Sequence, residues 1–202
     1  MPEEAVAVRS GRPRDPQVER SILAATQDLL VEGGYSATTI AAVAARARCG
    51  KSAIYRRWST KPDLVVAAVL AAQRSYDAPD TGSLRGDFLA AAMHFADAGD
   101  RAADLLARVL SEIGRDPELY RAARASIGEP PVAMLVEVIE RWIRRGVVSA
   151  DVPVGLIADI VPTAAFGSVV LRQRGLPSQN IVDLVDHVVL PALSVGAERR
   201  SS

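Results

Sequence analysis

The chain has 202 residues, of which 49% are hydrophobic, one is cysteine, and equal numbers are acidic and basic. This hydrophobic fraction excludes a disordered protein, and a single cysteine excludes an internal disulfide and a cysteine-ligated metal site. The formal net charge of zero hides an asymmetry, because residues 1–61 carry a net charge of +4 and the remainder a net charge of −4. A basic N-terminal part favours the neutralisation of phosphates at one end of the molecule.

The spacing of apolar residues predicts an all-α fold. Apolar side chains recur at intervals of about 3.6 residues along most of the chain, and alternating runs are rare. The N-terminal region holds no apolar signal-peptide core, and the chain has no uninterrupted apolar run long enough to cross a bilayer. We therefore expect neither export nor a membrane span, and the single cysteine fits a cytoplasmic protein.

Residues 1–16 are predicted to form a basic arm that precedes the first helix. The arm is charged and is interrupted by three prolines, and Arg12 and Arg14 flank Pro13 on an extended stretch. Such arms lie in narrow minor grooves, where the negative potential is strongest. A solvated tail without a partner is an equally weighted alternative.

The next elements form a compact series of predicted helices. Helix one runs from about Pro16 to Glu32 and ends at Gly33-Gly34, since glycine adopts the left-handed cap conformation readily. Helix two begins after Thr38, where a threonine hydroxyl can cap the free amides. A turn at residues 48–50 leads into helix three, which begins at Gly50 or Lys51 and ends near Trp58. A fourth helix starts at residues 60–63 and continues to about Tyr76.

The segment from Thr38 to Lys61 concentrates positive charge on two of these helices. It contains six basic residues and no acidic residue, while its apolar residues recur at helical spacing. Two short helices joined by a tight turn, with a basic outer face, are typical of a unit that places a helix in the DNA major groove.

The remainder of the chain is predicted to be helical and to follow a loop at Asp77–Gly82. Glycine and proline residues separate the helices, and Pro162 predicts a kink within its helix. We divide the chain into the arm (residues 1–16), a helix-turn-helix domain (residues 17–62) and a larger helical domain (residues 63–198). The predicted helices of the larger domain, beyond the loop, are residues 83–98, 101–114, 117–126, 131–145, 153–174 and 178–193.

The run RSILAATQDLLVEGGYSATTIAAVAARARCGKSAIYRRWSTKPDLV resembles the N-terminal domain of TetR-type transcriptional regulators. The match covers Val18 to Val69, while DPELYRAAR, the helix leading to RRGVV and the last two helices resemble the C-terminal domains of that family more loosely. The resemblance implies an all-α homodimer that binds a palindromic operator and represses transcription. It also implies dimerisation through the last two helices, and an unidentified small hydrophobic or amphipathic effector that releases the DNA.

The turn departs from the family pattern. Arg48-Cys49-Gly50 stands where the family usually has Gly-Val-Ser. The family glycine adopts a left-handed conformation, which an arginine adopts at a cost of about 1 kcal/mol. Gly50 replaces a serine cap, a loss of only about a few tenths of a kcal/mol. The substitution leaves the register of helix three open and adds a positive charge near the DNA backbone.

The resemblance assigns the DNA contacts to helices two and three. Lys51, Ser52 and Arg57 are predicted to read base edges, while Thr39, Tyr55 and Lys61 are predicted to hold phosphates. For each charged residue the alternative is a solvated helix face. The complete predicted set is Thr38, Thr39, Arg48, Lys51, Ser52, Ala53, Tyr55, Arg56, Arg57 and Lys61, together with Arg12 and Arg14 of the arm.

The remaining candidate sites lie in the larger domain. Large apolar residues that could surround an effector are Phe88, Met93, Phe95, Met134, Trp142, Phe166 and Val170, although ordinary core packing explains each one as well. The last two long helices are too apolar to be solvated all round, and burial against a second copy of the chain accounts for them. The predicted dimer residues are Ile160, Ala164, Gly167, Ser168, Leu171, Leu184, Val185 and Val188.

No pattern in the chain points to catalysis. His94 and His187 lack metal-ligating partners one helical turn away, and the chain has no phosphate-binding glycine loop and no nucleophile–base arrangement. We expect no enzyme activity, no cofactor and no metal, and a cytoplasmic, nucleoid-associated protein. Two alternatives remain open: a DNA-binding regulator without a ligand, and a helical protein-interaction module.

Overall fold

The computed structural model describes residues 16–72, 79–96 and 100–198, and these residues form helices without any strand. The predicted all-α fold is confirmed. The described residues contain a single isolated parallel bridge, between Ala96 and Leu176. The helices are α1 Pro16–Ala37, α2 Ile40–Arg46, α3 Lys51–Tyr55, α4 Lys61–Ala72, α5 Leu84–Ala92, α6 Asp100–Leu110, α7 Pro117–Ala123, α8 Glu129–Arg144, α9 Val154–Ala158, α10 Ile160–Arg172, α11 Ser178–Leu184 and α12 Leu190–Glu198.

Several predicted helix ends are wrong, and prolines and glycines explain why. The predicted break at Gly128 to Pro131 is absent: a π-helical turn, Arg124–Gly128, joins α7 directly to α8. Pro130 has no N–H to donate to the preceding π-helical turn, but the helix continues past it. A second π-helical turn, Val185–Val189, joins α11 to α12 in the same way.

Two predicted interruptions do occur, at positions that local chemistry explains. Gly34 has a φ of +72° and breaks the regular geometry of α1, but helical structure continues to Ala37 rather than ending at the glycine pair. The helix predicted to kink at Pro162 divides at Asp159 into α9 and α10. A proline at position 162 removes the N–H group that would pair with the carbonyl of Ala158, so the interruption lies on its N-terminal side.

Three clusters of buried apolar residues hold the helices together. The first joins α1, α2, α3 and the start of α4, and we call α1 to α3 the head. The third lies among α5 and α8 to α12, and we call α5 to α12 the body. The second cluster connects the two, because it contains residues of α1, α4, α6 and α7: Leu30, Tyr35, Val65, Val69, Leu105 and Leu119.

The stretch Val154–Arg172 is the one part of the described chain with the length and mean hydropathy, 1.9, of a membrane-crossing helix. It comprises α9 and α10 with Asp159 between them, and α10 buries Val161 and Val169 against the other helices. Core helices of globular proteins have the same composition, so this stretch is weak evidence for a membrane span.

Arg48 adopts the left-handed backbone conformation of the glycine that it replaces in the family pattern, although the sequence left the register of the turn open. Its φ is +51°, and α3 begins at Lys51 with Gly50 as its N-cap, so the register of α3 is kept. We expect Arg48→Val to lower the free energy of unfolding by about 1–2 kcal/mol relative to Arg48→Gly, because β-branched residues tolerate a positive φ poorly. Chemical denaturation measures this difference, and the same pair of substitutions at Gln173, whose φ is also +51°, is the control. Equal stability of the two Arg48 variants would contradict this explanation.

Candidate nucleic-acid interface

Local capping and one buried side chain set the geometry of α2 and α3. The Thr39 hydroxyl accepts a hydrogen bond from the backbone N–H of Ala42 at 3.1 Å and caps α2. Ile54 is fully buried in the head and therefore determines which face of α3 points inward. The opposite face of α3 presents Lys51, Ser52, Tyr55 and Arg56 to solvent, with Ala53 half-buried beside them.

The exposed face carries cationic side chains without a partner among the described residues. The side chains of Arg48, Lys51 and Arg56 form no hydrogen bond or ion pair within the described part of the chain, and all three residues are exposed. Arg46, by contrast, is held by Glu32 of α1 through two contacts of 2.6 and 2.7 Å. Because unpaired surface cations release counterions when they meet phosphates, this face is suited to a polyanionic duplex.

Arg57 lies elsewhere than the predicted base-edge contact requires. Its side chain is only 7% exposed, and its Nε lies 3.6 Å from a carboxylate oxygen of Glu19. A terminal guanidinium nitrogen also donates to the backbone carbonyl of Ala53 at 3.1 Å. The side chain therefore joins the end of α3 to α1, and it would have to leave both partners to reach a base.

Two other predicted contacts are partly engaged inside the protein. Thr38 is buried, and its hydroxyl donates to the carbonyl of Gly34 at 2.8 Å, so it supports the α1–α2 turn. Lys61 donates from Nζ to the carbonyl of Tyr35 at 2.6 Å, and burial lowers the pKa of its ammonium. A lysine has three N–H donors, so this contact leaves capacity for a phosphate. Arg12 and Arg14 lie outside the described residues.

The structure places the residues predicted to surround an effector in different environments. Phe88, Phe95 and Trp142 are buried in the body core, and Met93 and Met134 pack against it. Val170 is exposed on α10. Phe166 packs edge-to-face on Phe95 at a centroid distance of 6.1 Å and lines a groove.

That groove lies between α8 and α10, and we call it the acidic groove. Its volume is about 710 Å³, within the range typical of small-molecule sites. The π-helical turn that ends at Gly128 borders it, and such turns occur often at functional sites. Its lining combines the apolar side chains Val132, Ala133, Val136, Pro162 and Phe166 with the carboxylates Glu129, Glu137, Glu140 and Asp159, the guanidinium of Arg124 and the hydroxyl of Thr163.

The residues predicted for a dimer contact lie on one side of the body. A second groove of about 520 Å³ separates α10 from α11 and the following π-helical turn, and it is lined by Ala164, Gly167, Ser168, Leu171, Leu184 and Val188. Ile160 is half-buried against the core, and Val185 is fully buried in it, so Val185 supports this face from inside. Leu156 and Leu171 are 71% and 83% exposed. We call the exposed residues Leu156, Val170, Leu171 and Val188 the apolar stripe.

Sequence reasoning missed two carboxylates that organise the structure. Asp87 is fully buried and accepts hydrogen bonds from Thr81, Trp142 and Arg141. Asp116 accepts a hydrogen bond from the Tyr35 hydroxyl, 81 positions away. The dipeptide Asp116-Pro117 does predict a helix start, but nothing in the sequence shows that the same carboxylate reaches the head.

Lys51→Ala should weaken binding to the natural operator by about 1–3 kcal/mol and relax base preference, because Lys51 faces outward at the start of α3. Titration of an operator duplex and a scrambled duplex measures both effects. Lys61→Ala is the matched comparison, and it should weaken both duplexes evenly and reduce the salt slope by about one. Equal weakening of both duplexes by Lys51→Ala would assign Lys51 to phosphate instead.

Two family models match the chain and together cover most of it. Residues 22–68 match the model described as bacterial regulatory proteins, tetR family, and residues 78–188 match the tetracyclin repressor-like C-terminal domain. An uncharacterized HTH-type transcriptional regulator of Mycobacterium tuberculosis is 31% identical over 195 residues, which is 94% of this chain and 96% of that protein. The DNA-binding transcriptional repressor TetR of Mycobacteroides abscessus is 31% identical over 180 residues, 88% of this chain and 94% of that protein.

Solved structures share the fold. A TetR-family transcriptional regulator from Rhodococcus sp. superposes with a TM-score of 0.67 at 14% identity, covering 89% of this chain and all of that one, 100%. NalD of Pseudomonas aeruginosa, the secondary repressor of the MexAB-OprM multidrug efflux pump, gives a TM-score of 0.64 at 17% identity over 88% of this chain and 96% of that one. At these identities the likeness is one of fold alone.

Proposed function

We propose, from the premise that this chain belongs to the TetR family of DNA-binding transcriptional regulators, that it is a repressor released by a small amphipathic effector. Proteins of this family regulate transcription and are not enzymes. The proposal adds three features to that family role: a palindromic operator, a homodimer and an effector. The observation that carries it is the outward face of α3, where the side chains of exposed cations have no partner among the described residues.

The predicted contacts on this face divide between base reading and phosphate binding. We assign Lys51 and Ser52 to base edges, since they lie at the exposed N-terminal end of α3. We assign Thr39, Arg48 and Arg56, which are exposed around them, to phosphates. Tyr55 and Lys61 are assigned to phosphates at the edge of this face. Arg57 supports α3 through Glu19 instead of reading bases.

The apolar stripe supports the homodimer. Large aliphatic side chains exposed on α9, α10 and the turn after α11 are costly in water and mark contact surfaces. Small residues at positions 164, 167 and 168 let a second helix approach closely. A two-fold dimer built on this surface places two heads side by side, and it would read a palindrome with half-sites one helical turn apart, about 34–36 Å.

The acidic groove supports an amphipathic effector that carries positive charge. Its apolar lining suits a hydrophobic body, and Phe166 provides an aromatic ring for a cation. The Glu129 carboxylate is paired with Arg124 at 2.8 Å, while the carboxylates of Glu137 and Asp159 have no partner within the described residues. Two unpaired carboxylates favour a cationic ligand over an anionic one.

Selection of bound fragments from a pool of random duplexes tests the operator and the dimer together. We expect an enriched palindrome, and binding to it should fall steeply with salt because repeated phosphate contacts require this. A single asymmetric motif would contradict the dimeric mode, and the absence of any enriched sequence would contradict specific binding. Transcription in vitro from a promoter that carries the palindrome should decrease when the protein is added; an increase would contradict repression.

Tetraphenylphosphonium and tetraphenylborate, which have similar shape and opposite charge, test the effector class. We expect the cation to release the palindrome at concentrations about ten-fold below those of the anion, because each unpaired carboxylate in the groove contributes roughly 0.5–1 kcal/mol to its binding. Fluorescence anisotropy of labelled duplex measures release. Glu137→Gln with Asp159→Asn should remove the preference, and preference for the anion would contradict the charge assignment.

A further inference from the structure

A cluster of three polar side chains joins the head to the body. The Tyr35 ring is buried near the end of α1, and its hydroxyl donates to Oδ2 of Asp116 at 2.7 Å. Lys61, at the start of α4, donates to the Tyr35 carbonyl and holds its Nζ 3.8 Å from the ring centroid. Tyr35 therefore contacts both the helix that leaves the head and the first residue before α7 of the body.

The protonation states of this cluster favour a strong hydrogen bond. Burial and the hydrogen bond to Asp116 raise the pKa of Tyr35, so the phenol stays protonated and remains a donor. Hydrogen bonds from the backbone N–H of Leu119 and from Tyr35 lower the pKa of Asp116, which keeps it ionised. A neutral hydroxyl that donates to a carboxylate forms a charge-assisted bond, roughly twice as strong as one between neutral groups.

The two oxygens of Asp116 have separate partners. Oδ1 accepts from the backbone N–H groups of Glu118 and Leu119 at 2.9 and 3.0 Å and so caps α7, whereas Oδ2 takes the Tyr35 hydroxyl. Tyr35 precedes the α2 cap, Thr39, by four positions. One carboxylate of the body thus holds the segment from which the DNA-binding helices start.

We propose that Asp116 is a positioning residue for DNA binding, which acts through Tyr35 to hold the head at the angle that the second half-site requires. Among the described residues, the head also contacts the body through the surface pair of Asp28 with Arg101, which does not reach the segment just before α2. Gln27 and Tyr35 contact α4, through the carbonyl of Ala68 and the ammonium of Lys61. The Tyr35–Asp116 hydrogen bond connects this segment to the body itself.

The consequence is a dependence on operator geometry. A single head binds a half-site whatever its angle to the body, but two heads of a dimer must meet successive major grooves at the same time. Loss of the bond lets each head sample other angles, which reduces the fraction of dimers that fit both half-sites. Affinity for the palindrome falls, affinity for a half-site does not, and the preferred spacing becomes less strict. This inference rests on the proposed dimer and palindrome.

The test uses the palindrome recovered by selection with the unmodified chain, the same duplex with one half scrambled, and versions with the spacing changed by roughly one base pair. Tyr35→Phe removes only the hydroxyl, and Asp116→Ser removes the link while serine retains the ability to cap α7. Tyr120→Phe, on the exposed surface of α7, is the matched control. Circular dichroism shows whether each variant is folded. One folded variant of the two is sufficient to test the proposal.

We expect both variants to lose about ten-fold in affinity for the palindrome and to keep half-site affinity, with a flatter response to spacing, while Tyr120→Phe behaves as the unmodified chain. Equal loss on both duplexes, or no loss on the palindrome, would overturn the positioning role of Asp116. If the unmodified chain itself fails to prefer the palindrome, the proposed function fails instead, so the two failures are distinguishable.

Discussion

Asp87→Ala should lower the free energy of unfolding by about 3–5 kcal/mol, the range for removing one partner of a buried charged pair. Asp87 is fully buried on α5, and its carboxylate accepts from the Thr81 hydroxyl at 2.7 Å, from Trp142 Nε1 at 2.9 Å and from Arg141 at 3.2 Å. Arg141 also donates to the carbonyl of Pro79. Alanine would leave the donors of the loop and of α8 without their common acceptor.

The pH dependence of this effect has a defined sign. Burial works to raise the pKa of Asp87, but hydrogen bonds from Thr81 and Trp142, together with the charge of Arg141, outweigh it and lower the pKa. A lowered pKa stabilises the folded state above the unfolded value, about 3.9, and this contribution is lost as the pH falls below it. The difference between the unmodified chain and Asp87→Ala should therefore shrink in acid.

Chemical denaturation at pH 7 and at a pH well below about 3.9 measures this prediction. Asp80→Ala is the matched control. Asp80 lies beside Thr81 in the segment before α5, is exposed, and contacts Arg145 at 3.4 Å. It should cost less than about 1 kcal/mol, as surface ion pairs do. Equal losses for Asp80→Ala and Asp87→Ala would show that the buried network contributes nothing beyond loop order.

Leu171→Asp should convert the proposed dimer to a monomer and lower affinity for the palindrome by about 100-fold or more, since the gain from two linked binding events is lost. Leu171 is the most exposed large hydrophobic residue of the described chain, at 83%, and it lies within the apolar stripe. A carboxylate there would be desolvated against an apolar surface in the dimer but fully hydrated in the monomer. Folding of the single chain should be unaffected.

Sedimentation and duplex titration distinguish this outcome from general damage. Val147→Asp places the same charge at another exposed apolar position, 54% exposed in the segment between α8 and α9, and should leave the dimer intact. Half-site affinity should be the same in both variants. A dimer that survives Leu171→Asp would assign the apolar stripe to another partner.

Most of the fold could be predicted from local patterns. The α2 cap followed from the threonine pair before it. The positions where helices end were less accurate, because Pro130 was interpreted as a break although the helix continues past it through a π-helical turn. Local chemistry indicates where a helix can stop, whereas packing decides whether it does.

The candidate site was predicted less well than the fold. Lys51 and Arg57 look alike in the sequence, yet one is exposed and the other is buried against α1. Phe88 and Phe166 are both large apolar residues on predicted helices, but Phe88 is buried in the core and Phe166 borders the acidic groove. Helical periodicity identifies the apolar face of a helix, and it does not say how deep each residue on the polar side lies.

The sequence by itself determined the helical class, the family and the basic face of α2 and α3, because each depends on residues within a few turns of one another. Only the tertiary structure decided that Arg57 supports α3, that Asp87 joins the loop to α8, and that Asp116 holds Tyr35. These contacts link residues 38, 55 and 81 positions apart. No local propensity encodes a contact at such a separation, since it forms only when whole helices pack.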